Sequence, residues 1–134
     1  MSNGHEAALF KAFVLPQRRD RYTNLLKSAK GRVKIRASLA HFRDLDPRYA
    51  HRIDPNNSAN EVIARELQRR GAPAESYIIS EAAKLDGQTL PLREALDAVV
   101  GYGMGTFISC VPGRLAYFEG EEPGERYILE RAAV

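Results

Sequence analysis

TFISCVPGRLAYFE, residues 106–119, decides the fold class. Two runs rich in β-branched and aromatic residues, 106–111 and 114–119, flank Pro112-Gly113, an arrangement that reads as a β-hairpin. A two-residue turn would set Val111 opposite Arg114, Cys110 opposite Leu115, Ser109 opposite Ala116, Ile108 opposite Tyr117 and Phe107 opposite Phe118. One face is then continuously apolar, with Ile108, Tyr117, Cys110 and Leu115, and is expected to be the core face. The other carries Phe107 and Phe118 at one end, then small residues, then Arg114. Either the N-terminal helices or a second copy of the chain would cover it.

Working outward, SYIIS (76–80) is a third strand and 127–130, after the loop GEEPG, a fourth. Between them LPLREALDAVV puts Leu92, Ala95, Leu96, Val99 and Val100 on one arc, with Arg93, Glu94 and Asp97 opposite, and so forms an amphipathic helix crossing the sheet. Toward the N-terminus the period is helical. Helices are expected over 16–28, opened by Pro16, over 31–43 after a break at Gly31, and over 59–70, stopped by Gly71 and Pro73. Ser58 and Glu61 have the spacing of a capping box at the start of the third. The stretch DLDPRYAHRIDPNNS (44–58) has neither period and reads as a surface loop. Three N-terminal helices followed by about four mainly antiparallel strands and one crossover helix define an α+β fold, residues 1–134 forming a single domain.

Composition agrees with that class. The 134 residues are 44% hydrophobic and 28% charged, values of ordinary folded chains that argue against disorder, collagen or coiled coil. No stretch approaches the ~20 uncharged apolar residues of a membrane span, and MSNGHEAALFKAFVLP lacks a basic leader. Neither membrane insertion nor export is expected. The single cysteine, Cys110, cannot form an intrachain disulfide, and one cysteine with three histidines falls short of a structural zinc site, so no metal or other cofactor is expected and a cytoplasmic location is.

Charge is unevenly distributed. Net charge is +3, yet residues 1–60 carry +7 and residues 61–134 carry −4. At 100° per residue Arg32, Arg36 and Arg43 fall within about 40° of one another, so a helix over 31–43 would align three guanidinium groups on one side. Such a row suits phosphates of a nucleic acid or an acidic protein. It could equally pair with Glu119, Glu121, Glu122 or Glu125 of the acidic half.

The remaining chemistry is thin. His41, Asp44, Asp46 and His51 have ligand or acid–base character without a recognised spacing, and Glu81 with Asp86 fixes no geometry. Aspartates before Pro47 are more simply turn residues. The loop Gly101–Gly105 follows a helix and enters a strand, the reverse of a phosphate loop, so its glycines are expected to terminate the helix. Cys110 has no neighbouring cation and reads as a small core residue. No motif names a reaction. The favoured function is a small binding protein acting on nucleic acid or an acidic partner through Arg32, Arg36 and Arg43; the alternatives are a hydrolase with His41, Asp44, Asp46 or Glu81 near its site, and a structural homodimer.

Overall fold

In the computed structural model, which describes residues 4–132, the hairpin lies at the centre of a six-stranded antiparallel sheet. The strands are β1 (Ala50–Arg52), β2 (Glu75–Ser80), β3 (Thr89–Pro91), β4 (Thr106–Val111), β5 (Leu115–Glu119) and β6 (Arg126–Glu130), ordered β1-β6-β5-β4-β2-β3. The helices are α1 (His5–Phe13), α2 (Arg19–Leu25), α3 (Ala29–Ser38), α4 (Asn60–Arg69) and α5 (Leu92–Val99). The class is α+β, with two more strands and one more helix than the sequence suggested. Helix α5 carries the chain across β2, from β3 to β4. None of the helices among the described residues is long and apolar enough to cross a membrane.

Alternation along the strands builds two cores. Ile79, Phe107, Ala116, Phe118 and Leu129 point to one face, where they meet Leu9, Phe10 and Phe13 of α1, Tyr22 of α2 and Ile35 of α3. Ile78, Ile108, Cys110, Leu115, Tyr117 and Ile128 point to the other, against Ile63 and Leu67 of α4 and Leu92, Leu96 and Val99 of α5. The sheet is therefore a middle layer. The Phe107/Phe118 face, offered by the sequence to either helices or a second copy, is covered by the helices.

The expected register holds for Phe107–Phe118, Ile108–Tyr117 and Ser109–Ala116, then shifts so that Val111 faces Leu115. This bulge at Cys110 moves Arg114 out of the strand and into the turn, where its amide donates to the Val111 carbonyl at 3.0 Å. Gly113, at φ +71°, takes the left-handed conformation there and seats the turn on Ala8 of α1. A cationic side chain is thus lifted onto the hairpin tip.

Other boundaries differ for identifiable reasons. Pro16 opens a 3₁₀ turn (Pro16–Arg18) ahead of α2 rather than the helix itself. Gly31 does not break the chain. It is the third residue of α3, and the break is made by Ser28, whose hydroxyl caps Gly31 N at 2.9 Å. The chain ends α3 with a 3₁₀ turn, Leu39–His41, and is extended at Phe42, so Arg43 lies beyond the helix and outside its periodicity. The Ser58/Glu61 capping box does not form: Ala59 is the N-cap, and the Ser58 hydroxyl donates to the Pro55 carbonyl at 2.8 Å.

Cys110 is 2% exposed. Burial pushes its thiol up to about 12, so neither access nor thiolate favours reaction. Native protein should label with a thiol reagent far more slowly than denatured protein; fast labelling without denaturant would contradict this placement.

Candidate functional site

Two of the three arginines singled out by the sequence face into the domain. Arg32 donates to Glu6 through Nε and Nη2, the latter at 2.7 Å, and to both oxygens of Asp86. The hydrogen bonds it donates to Asp86, then to Glu6, raise its guanidinium above the ordinary value. Arg36 donates through Nε to the Ser80 carbonyl at 3.0 Å and stands 3.3 Å from Asp86. Together they lock α1 and α3 to the loop after β2. Arg43 alone is well exposed, and it meets Glu125 at 2.9 Å. The acidic half thus supplies Glu125 and Asp86, while Glu6 comes from the basic half.

The acid–base candidates do not converge. His41 pairs with Glu121 at 3.0 Å on the surface, and His51 is exposed on the edge strand β1. Asp44 accepts from the Tyr22 hydroxyl, Glu81 accepts from Gly105 N at 2.6 Å, and Asp46 accepts from Arg48 and Arg19. Among the described residues no three His, Cys, Asp or Glu side chains are grouped to hold a metal. One contact had no signal in the sequence: His5 Nδ1 lies 2.7 Å from Ser109 Oγ. Ser109 is 1% exposed and His5 stacks on Tyr77, so no substrate can reach that hydroxyl.

The glycine loop does cradle an anion, and the anion belongs to the protein. Gly101 (φ +91°) and Gly103 (φ +68°) aim their amides at Glu119, which is 1% exposed and also accepts from the Tyr117 hydroxyl at 2.8 Å. Arg126 Nε stands 3.5 Å away as a charge partner, without hydrogen-bond alignment. These amides are therefore occupied.

A different cluster of cations is open to a ligand. Beside the hairpin tip, Ala8, Lys11 and Ala12 of α1, Arg19 of α2, Gly113 and Arg114 of the turn, and Arg131 and Ala132 after β6 line an open cleft of about 350 Å³. Four of these side chains are cationic and none is acidic. Two of its arginines, Arg19 and Arg131, are held in place by neighbouring groups. Asp46, 2% exposed, accepts from Arg19 at 3.3 Å and from Arg48 at 2.7 Å, and its carboxyl is held below the ordinary value, chiefly by the Arg48 hydrogen bond. Arg19 also donates to the Val14 carbonyl at 2.8 Å, and Arg131 to the Ala12 carbonyl at 3.2 Å. The Tyr49 ring is flanked by the guanidinium groups of Arg48 at 5.1 Å and Arg131 at 4.7 Å.

Each anchored guanidinium keeps most of its N–H donors free, a geometry matched to phosphate or carboxylate oxygens. Lys11 and Arg114 are exposed and enter no ion pair among the described residues. Sequence reasoning missed this cleft because its members are scattered from residue 11 to residue 131. Placing Lys11 required α1, and placing Arg114 required the bulge. No family model, curated protein or solved structure matches this chain.

Proposed function

We propose that the chain is a binding protein for phosphate-bearing anions, taken up in the cleft of Lys11, Arg19, Arg114 and Arg131, with Arg48 joined to Arg19 through their shared partner Asp46. One observation carries this: four cations line a single open surface with no acidic side chain among them, and Arg19 and Arg131 are pre-positioned by Asp46, Tyr49 and backbone carbonyls. Arg19 is paired with Asp46, but Lys11, Arg114 and Arg131 have no carboxylate partner among the described residues, and holding these like charges together costs free energy that a bound polyanion returns. Preorganisation also spares the ligand the entropic cost of immobilising long side chains. This reading replaces Arg32, Arg36 and Arg43 by four other cations, Lys11 and Arg19 from the basic first half and Arg114 and Arg131 from the acidic second half.

Inorganic tripolyphosphate is a suitable probe. Calorimetry at low salt should detect binding that weakens as salt rises, because each phosphate contact releases counterion. Changing Lys11→Glu together with Arg114→Glu, both exposed, should weaken it at least about tenfold with the melting temperature unchanged, since charge reversal turns attraction into repulsion. Lys84→Glu, exposed and outside the cleft, should leave it unaltered. Equal losses in both variants, or no binding by the native protein, would overturn the proposal.

A further inference from the structure

We infer that the cleft is one end of a longer track for a nucleic-acid backbone, continued over Lys11 and Lys27 to Lys30 and Lys34 on the outer face of α3. This rests on the anion-binding reading of the cleft. Continuity is the first observation. Lys11 lines both the arginine cleft and an adjoining hollow between α1 and α2 that it shares with Glu6, Ala7, Thr23, Leu26 and Lys27. On the far side, Arg114 and Arg131 are shared with a third hollow that also includes Arg70.

The second observation is that the carboxylates along this path are already neutralised. Glu6 accepts from Arg32 and from the Tyr77 hydroxyl, and Glu130 is paired with Arg70. Asp20, the exposed acid of α2, lines none of the three hollows. By contrast Lys27, Lys30 and Lys34 are exposed and form no ion pair among the described residues. Lys30 and Lys34 stand one helical turn apart, so the like charges repel unless an anion lies between them. Arg32 and Arg36 point to the opposite side of α3, with Val33, 59% exposed, between the two rows.

The chemistry of the track selects a backbone reader. A single phosphate could satisfy the cleft, but only a chain of phosphates reaches the α3 lysines as well. Bases would find no ring to stack on along this path, because among the described residues no aromatic side chain lines the cleft or the two hollows, and the exposed Tyr102 lies beyond the other end of β4. Recognition is therefore expected to ignore base identity.

Fluorescence anisotropy with single-stranded homopolymers of roughly 15 nucleotides, within the usual site size of such proteins, tests this. Binding should show a log–log salt slope of about −5, from contacts at about −0.7 each by Lys11, Arg19, Lys27, Lys30, Lys34, Arg114 and Arg131, with oligo-dT and oligo-dA alike within about twofold, as expected where bases are not read. Changing Lys27, Lys30 and Lys34 together to Gln should flatten that slope by about 2 while tripolyphosphate binding stays unchanged. If the triple variant binds the oligonucleotide as tightly as the native protein while tripolyphosphate still binds, the track is refuted and the cleft stands. If neither probe binds, both fail. A poly-glutamate peptide of matched charge that binds as well as the oligonucleotide would overturn nucleic acid in favour of an acidic protein.

Discussion

Gly105→Ala should abolish a stable fold, or lower the melting temperature by roughly 10 °C or more in a domain of this size. A Cβ at this position would sit 2.1 Å from the carbonyl carbon of Leu39, 2.3 Å from Ala40 N and 2.4 Å from the Leu39 oxygen. These are backbone atoms and cannot rotate aside. Gly105 cannot retreat either, because its amide donates to Glu81 Oε2 at 2.6 Å and its carbonyl accepts from Glu81 N at 3.0 Å. Overpacking of a rigid contact typically costs about 1–3 kcal/mol, and a clash with no escape belongs at or above the upper end. Native stabilities are only about 5–15 kcal/mol. Thermal or urea unfolding measures the loss, and a variant as stable as the native protein would mean that the turn after α3 is not seated on the start of β4.

Glu119→Ala should be nearly as damaging, for an electrostatic reason. The carboxylate is 1% exposed and is the shared acceptor for Gly101 N, Gly103 N and the Tyr117 hydroxyl, with Arg126 at 3.5 Å. Its removal strands the buried Tyr117 hydroxyl, the amides of Gly101 and Gly103 and an uncompensated guanidinium, a change that typically costs about 3–5 kcal/mol. Glu119→Gln keeps the shape and one acceptor oxygen, so it should lose distinctly less. The loop carrying Tyr102 and Met104 should then become the first site of proteolytic nicking in the alanine variant. An alanine variant that melts with the native protein would contradict the role given to Glu119.

What the sequence revealed follows its periodicities. The hairpin, α4, α5 and β2 have strong apolar patterns of period 2 or 3.6 and were legible to within a few residues. Strands β1 and β3 were not, because each has three residues at a sheet edge, mostly exposed, and takes its register from β6 or β2 rather than from any pattern of its own. Helix α1 has nine residues, begins at Gly4 with no side-chain cap, and buries Leu9, Phe10 and Phe13 only because the Phe107/Phe118 face needs cover. The Ser58/Glu61 spacing was present without its geometry, since Asp54 and Pro55 form a turn that claims the Ser58 hydroxyl.

The site was legible in charge and illegible in place. An excess of cations in the first half is plain from composition, but which of them remain available depends on tertiary pairing. Arg32 and Arg36 lie on the side of α3 that meets Glu6 and Asp86, contacts separated by 26 and 54 residues. Lys11, Arg114 and Arg131 become neighbours only when α1, the displaced hairpin turn and the end of β6 meet. No local pattern encodes that meeting.

Where an anion binds decides whether the hairpin tip is a site. Adding tripolyphosphate to isotopically labelled protein and following amide and arginine Nε–H resonances by NMR locates it directly. Shifts should concentrate at Lys11, Arg19, Arg48, Gly113, Arg114 and Arg131, with Arg32, Arg36 and Arg43 unmoved. Shifts centred on Arg32, Arg36 and Arg43, or spread evenly over every exposed lysine and arginine, would contradict a built anion site at the hairpin tip.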